Sequence, residues 1–404
     1  MNGLITSVVA ARVLTPVEFG YFSAIITVAI TFVGLIAALL AQPLLLTRGG
    51  RDHLTAQARS TLFVALVYGA ISGLILVCAS PFFAHLRIGL WVLAASFPLV
   101  AVSDAFRYFG NVLGRAHLAA LLDAARLVLF LAGYRLFMSG SAQDTSTFTI
   151  LWSVCALVVG LIALGLGHRM TRSATANLRQ FASPKFLGYQ FSVEFLLGIV
   201  ARTIPRLSLG WFVSVSAIGY FSGMSTLFGP ILVLATSAVL VFSPYLVAHP
   251  GPQRTRVLVG MGACFTIVTL IWMTVLLALP DNYGQQILGD VWHGSRSLIV
   301  PIAMQIVGTG ILTTAQTGVR VVRPRYSFVM NISAVSWFFV CFLIGVLING
   351  LQGAAWGFAV GAFGAAAIAV AIYMKVKGTP DEDPRATGTA TRTPSGGRHA
   401  LRVR

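Results

Sequence analysis

Arg202 and Arg206 stand four residues apart in a run, residues 186–212, whose one other charge is Glu194. An i, i+4 spacing puts both guanidinium groups on one face of a helix, and Glu194, two turns before Arg202, lies close to that face. Pro205 lies between the two arginines. It lacks an N–H and clashes with the preceding turn, so it loosens the helix there. Guanidinium forks grip phosphate oxygens in pairs, so a bent helix with two cations on one side suits a phosphorylated anion. A plainer reading stays open, in which Glu194 pairs with an arginine and ties helices together. A third makes Glu194 an acid that titrates and couples an ion.

Other charges stand in comparably apolar runs: Asp123 and Arg126 within 118–138, and Arg296 within 285–318. At bilayer depth such a group costs about 2.5–3.5 kcal/mol on insertion scales, so by default it faces a cavity and has a partner. Arg126, Arg206, Arg202 and Arg296 are therefore candidate cavity cations, and Asp123 and Glu194 candidate pairing or coupling acids. Asp104 and Arg107 are spaced for a local i, i+3 pair. Arg135, near a helix end, is placed to snorkel. Gln42-Pro43 and Pro205 mark kinks that could shape a cavity. Trp152, Trp211, Trp292 and Trp356 read as membrane-interface anchors.

The elements that hold these residues follow from composition. Hydrophobic residues are 57% of the 404, charged residues 10%, and mean hydropathy is +0.86. Soluble domains carry about 25% charge. Apolar runs of about 20 residues recur, the length a helix needs to cross hydrocarbon. Twelve such segments lie near 1–14, 20–46, 59–80, 88–106, 118–138, 147–167, 186–212, 217–247, 257–279, 285–318, 326–348 and 352–374. The first is short, with Met1 only ten residues before Ala11, so either the first helix is truncated or the true start lies upstream.

Net charge is +17. In a soluble protein that would point to nucleic acid, but here the basic residues gather between apolar segments. Five alternate loops hold them: Arg48, Arg51 and Arg59; Arg107 and Arg115; Arg169, Arg172, Arg179 and Lys185; Arg254 and Arg256; Arg320, Arg323 and Arg325. The intervening loops are nearly free of Lys and Arg. Such alternation predicts an even topology with both termini in the cytoplasm, and leaves nucleic acid without a role. The expected organisation is a bundle over 1–168, a basic linker over 169–185, a second bundle over 186–377 and a disordered basic tail over 378–404.

"GYFSAIIT" begins at Gly20 and "GYFSGMST" at Gly219, 199 residues later. Six spans separate the copies, so both face the same side of the membrane and the halves form a parallel repeat about an axis along the membrane normal. Paired bundles of this kind enclose a central site and rock about it. There is no GxxxxGK[ST] loop, HExxH or GxSxG, no cysteine pair among Cys78, Cys155, Cys264 and Cys341, and no ligand spacing among the seven histidines. The chain is not expected to be an enzyme or to need a cofactor or metal.

"ARVLTPVEFGYFSAIITVAI" resembles the first loop of polysaccharide and oligosaccharide-lipid flippases, and "VSAIGYFSGMSTLFGP" the matching phrase after their seventh helix. "DAFRYFGNVLGRAHLAALLDAARLVLF" is similar to their fourth-to-fifth helix connection. "ILGDVWHGSRSLIVPIAMQ" with "GLQGAAWGFAVG" is similar to their last helices. Many relatives have an Asp where this chain reads "TIPRLSLGW", with Pro205 and Arg206 in its place. The resemblance, over about residues 8–375, is to the multidrug/oligosaccharidyl-lipid/polysaccharide flippase superfamily. It implies an all-α polytopic protein with two six-helix bundles around a central cavity, in a bacterial inner membrane. It also implies translocation of a polyprenyl-pyrophosphate-linked oligosaccharide; read with the charges above, Arg202, Arg206, Arg126 and Arg296 would line the cavity for the pyrophosphate, or pair internally with Asp123 or Glu194 and hold the bundles together. Its partners would be the lipid-linked glycan, membrane lipid, and glycosyltransferases or a polymerase of the same pathway. The alternatives are a cation-coupled multidrug exporter of the same fold and a non-transporting scaffold of a glycan-assembly complex.

Overall fold

In hydrocarbon each helix must close its own backbone hydrogen bonds, and the long apolar runs of this chain are helical over their described residues. The computed structural model describes residues 2–41, 43–44, 51–83, 86–137, 144–176, 178, 181, 187–248, 251–323 and 325–377, all helical or in short turns and connections. The first lobe comprises α1 (Asn2–Val13), α2 (Pro16–Ile36), α3 (Arg51–Ala79), α4 (Arg87–Val112), α5 (Ala116–Phe137) and α6 (Thr145–Thr171). The second comprises α7 (Leu187–Phe212), α8 (Val215–Leu227), α9 (Gly229–Ala248), α10 (Pro252–Ala278), α11 (Asp281–Leu288), α12 (Val291–Arg296), α13 (Ile299–Val322) and α14 (Arg325–Val376).

Among the described residues nine helices are long and apolar enough to cross a membrane, ten with α8 and α9 taken as one bent span. The last of these, α14, folds back on itself at Asn349 (φ −148°) and Gly350 (φ 49°). Its arms, 325–348 and 351–376, run antiparallel, because Gly353, Gly357 and Gly361 lie against Gly345, Cys341 and Phe338 in turn. Small residues at i, i+4, i+8 let two helix backbones close up where lipid offers no hydrophobic drive. Counting the arms separately and adding the short α1 gives twelve helices in two lobes.

Three departures from simple hydropathy have local causes. α2 widens into a π-helical turn at Ala37–Ala41. Buried Pro43 follows within one turn. A proline ring crowds the carbonyl four residues back, and an extra residue in the turn relieves it. Gln42 itself is outside the described residues. The apolar stretch 217–247 is two helices bent by 54° across Phe228, where Pro230 removes a donor from the new first turn. The stretch 285–318 is three elements, because Gly289 takes φ 57° and ends α11. Pro205, by contrast, lies inside α7 without ending it.

Arginines of the basic loops stitch helices together at one end of the bundle. Arg59 Nη1 donates to the carbonyls of Thr171, Arg172 and Ala174 at 3.2, 3.1 and 2.8 Å. Arg254 Nε donates to Leu246 O at 2.9 Å. Both cap helix C-termini, where orphan carbonyls and the helix dipole favour a cation. At the opposite end Glu18 Oε2 accepts from Thr145 N at 2.8 Å and so caps α6 from α2. The largest buried core crosses the lobes, with Phe19 and Phe22 of α2 joined to Phe221 and Phe228. The tail 378–404 and residues 177, 179–180 and 182–185 of the linker lie outside the described residues.

Candidate functional site

The first lobe brings its charges to one place. Arg107, near the basic end of α4, donates from Nη1 to Asp104 Oδ1 at 2.7 Å, one turn back on its own helix. It reaches Asp123 on α5 twice, from Nη2 at 2.6 Å and from Nε at 3.2 Å. The local pair matches the i, i+3 spacing. Asp123 is thus paired across helices with Arg107.

Arg126, one turn beyond Asp123, turns instead toward α6. Its guanidinium carbon lies 4.3 Å from the centroid of the Trp152 ring. Nη2 is buried and makes no hydrogen bond among the described residues. A desolvated cation over an indole face gains about 2 kcal/mol, and a buried donor left unmade costs about 1–3 kcal/mol. The stacking therefore holds the group in place without satisfying it. Arg126 also lines a cavity of about 160 Å³, together with Gly3, Ile26, Ala29, Asp104, Arg107 and others. An acceptor entering that space would find a preplaced guanidinium.

The second lobe has a different polar chamber, of about 110 Å³, lined by Glu194, Thr309, Thr313, Gln316, Arg320 and Asn331 among others. Glu194 Oε2 accepts from Arg320 Nη2 at 3.3 Å, so α7 is tied to the basic end of α13. Gln316 Nε2 donates to Asn331 Oδ1 at 3.0 Å. Arg206 donates from Nη2 to Ser222 Oγ on α8, and its guanidinium carbon lies 5.7 Å from the Phe221 ring centroid. Its Nε is buried with no hydrogen bond among the described residues. Arg206 thus lies between α7 and α8. The side chain of Arg202 is outside the described residues.

Two placements bear on the sequence reading. Arg296 ends α12, in the short helices between α10 and α13, and pairs with Asp281 of α11 with both side chains nearly half exposed. The Asp281 pair fits the reading of Arg296 as a charge that ties two short helices together. Trp292 is fully buried and donates from Nε1 to Asp281 Oδ1 at 2.9 Å. It is a core residue, whereas Trp211 is 88% exposed. Trp152 is the platform under Arg126. No feature of the sequence pairs Arg107 with Asp123, or Glu194 with Arg320, which lie 16 and 126 residues apart.

The arrangement of helices is similar to solved transporters. A multidrug resistance MATE family transporter of the MOP superfamily, in an inward-facing conformation, superposes with a TM-score of 0.73 at 12% identity, covering 93% of this chain and 94% of that one. An outward-facing multidrug resistance MATE family transporter of the same superfamily gives 0.61 at 15% identity, over 93% and 91%. A MOP superfamily transporter from Pyrococcus furiosus, described as having a binding pocket of reverse polarity that suggests a different function, gives 0.59 at 14%, over 93% and 91%. No protein-family model matches the sequence, and no curated protein matches it. The likeness therefore identifies the fold, the two-lobe, twelve-helix architecture of MATE transporters.

Proposed function

We propose that the chain is an alternating-access transporter that moves an anionic, lipid-linked glycan, a polyprenyl-pyrophosphate-linked oligosaccharide, across a bacterial inner membrane. The fold supports transport rather than catalysis, since its neighbours are transporters caught facing inward and outward. The closer superposition on an inward-facing relative supports reading this conformation as open toward the basic end, which the alternating arginines place in the cytoplasm.

The observation that carries the substrate is Arg126. Its Nη2 is buried and unbonded among the described residues, and its side chain lines a cavity with Arg107 and Asp104, where Arg107 engages both Asp104 and Asp123. A cationic drug would meet guanidinium groups there, whereas a diphosphate would complete the missing hydrogen bond. Arg206, with its own unbonded Nε, supports the same sign of charge between α7 and α8.

Multidrug export is favoured by one observation, the carboxylate of Glu194 in the second-lobe chamber, a group that could carry a coupling ion. The two readings separate in proteoliposomes. We expect the protein to translocate a fluorescent polyprenyl diphosphate and Arg126→Gln to slow it at least tenfold at equal protein content. Unchanged rates in Arg126→Gln, or ethidium transport by the wild type, would overturn the glycan-lipid assignment.

A further inference from the structure

Arg107 and Arg126 line one cavity, but the two acids beside them are placed differently. Asp104 lines the cavity with them, and Asp123 is not among its lining residues. The charged groups of that lining therefore sum to one positive charge. Apolar side chains, Ile26, Ile30, Val33 and Val100 among them, make up most of the remaining wall.

Arg107 is shared between carboxylates of unlike exposure. The Asp104 side chain is 9% exposed and the Asp123 side chain 41%. A carboxylate shut away from water has lost its hydration, and removing its cation would leave that loss uncompensated. A half-exposed carboxylate is hydrated and screened, so its ion pair is weak. Asp104 therefore keeps Arg107, and Asp123 can release it. The position suits release: Asp123 lies seven residues beyond Ala116, where α5 starts, hence roughly 10 Å from the basic end of that helix.

An incoming head group decides whether that release is needed. A phosphodiester carries one negative charge, which the lining already matches. A diphosphate that joins a lipid to a sugar carries two, and matching the second requires more of Arg107. That guanidinium has five N–H donors. Asp104 takes one of them, and Asp123 takes two, from Nη2 and Nε. Phosphate oxygens engage a guanidinium fork in pairs, a stronger claim than that of a half-hydrated carboxylate. We infer that the Arg107–Asp123 bridge is an exchangeable grip: one phosphate of the lipid diphosphate takes Arg126, the other draws Arg107 from Asp123, and Asp123 takes Arg107 back when the head group leaves. Arg107 is then the residue that tells a diphosphate from a monophosphate, and Asp123 a positioning residue that competes with the substrate. This deepens the proposed transport function and rests on its assignment of the diphosphate to Arg126.

The test uses two probes that differ by one phosphate. The full chain is placed in nanodiscs of phosphatidylcholine, which has no net charge with which to compete. Saturable binding is measured for radiolabelled farnesyl phosphoryl-N-acetylglucosamine and farnesyl diphosphoryl-N-acetylglucosamine. We expect the wild type to bind the diphosphate probe at least tenfold more tightly. Arg107→Gln should remove that preference and leave the monophosphate probe within twofold, which also reports that the variant is folded. Asp123→Asn should tighten the diphosphate probe at least threefold and leave the monophosphate probe within twofold, a gain that misfolding cannot produce. Inorganic diphosphate in tenfold excess should leave the diphosphate probe bound, since the apolar wall takes the start of its chain. Equal losses of both probes in Arg107→Gln would overturn the exchange. Weaker diphosphate binding in Asp123→Asn would overturn it too, because Asp123 would then only hold Arg107 in place. Displacement by inorganic diphosphate would give the grip to a soluble ligand and overturn the lipid-borne one. Diphosphate binding that Arg126→Gln leaves unchanged would instead overturn the assignment on which the exchange rests.

Discussion

Gly20 and Gly219 lie against each other where α2 crosses α8. A Cβ added to Gly219 would fall 3.1 Å from the amide nitrogen of Gly20 and 3.4 Å from its Cα. The relation is reciprocal, since a Cβ on Gly20 would enter the carbonyl of Val215 and one on Gly219 the carbonyl of Pro16. Pro16 and Val215 are the first residues of the two helices. Their N-caps match as well, with Thr15 Oγ1 accepting from Glu18 N at 3.3 Å and Ser214 Oγ from Ala217 N at 3.2 Å. Partners that exchange roles in this way are related by a two-fold axis between them, as in any self-complementary contact. The repeated phrase therefore marks one place where the two lobes touch, at the end opposite the basic loops.

A side chain at either glycine must push the lobes apart there. Overpacking a close helix contact costs about 1–3 kcal/mol when the structure stays intact, and here the strain is relieved by rocking the lobes open. We expect Gly20→Leu and Gly219→Leu to insert normally and to favour the outward-open state. Spin labels on the two lobes, near residues 17 and 216, should move apart by several ångströms, and transport should fall more than tenfold. A wild-type distance distribution in both variants would show that this crossing is not the closed gate.

The stacking of Arg126 on Trp152 gives a second measurement. The pair is half-buried and joins a cation to a ring face, so a double-mutant cycle with Arg126→Leu and Trp152→Leu should return a coupling of about 0.5–2 kcal/mol in unfolding. Trp152→Leu alone should weaken diphosphate binding without abolishing it, because the guanidinium stays but loses its aim. Additive single-variant effects would mean that the indole plays no part in orienting Arg126.

Much of this was legible before any coordinates. The twelve apolar runs, the alternation of arginines and the 199-residue repeat are properties of composition and spacing, and they carry the fold. The Asp104–Arg107 pair was legible because its geometry is local to one helix. Trp292 was misread for a physical reason: α11 and α12 carry a few large apolar residues among polar ones and run straight into α13, yet α11 packs on the end of α1, where Gly289 closes against Arg12 O, and α12 packs on α8, where Val291 closes against Gly223 and Gly294 against Tyr220. Glu18 capping α6 from α2 was invisible, since a tertiary cap leaves no mark at fixed spacing.

Asp281 supplies a pH dependence outside the membrane spans. The hydrogen bond from Trp292 lowers its pKa below the ordinary carboxylate value, and the Arg296 guanidinium adds to the effect. A group whose folded pKa is lowered stabilises the protein above its unfolded value, and that stabilisation is lost as pH falls through the folded value. The thermal midpoint of the wild type should thus hold from neutral pH down to the ordinary carboxylate range and drop only below it. Asp281→Asn should show a lower midpoint at neutral pH and lack that acid step. An acid step of equal size in the variant would assign it to other carboxylates.

The remaining prediction concerns what drives the cycle. Glu194 is mostly buried, and Arg320, about half exposed, lies against it at 3.3 Å. An intramolecular guanidinium at that distance occupies the position a coupling cation would take beside the carboxylate. We therefore expect wild-type transport to be insensitive to replacing sodium with potassium. Arg320→Gln should uncover Glu194 and introduce a dependence on sodium or on pH, whereas Arg320→Gln combined with Glu194→Gln should remove it again. The stability change in either single variant should stay near 0.2–1 kcal/mol, as for other partly exposed pairs, so loss of fold does not confuse the result. If the wild type already needs sodium and Glu194→Gln abolishes that need, Arg320 must leave the carboxylate during the cycle, and the ion-coupled exporter reading gains the stronger claim.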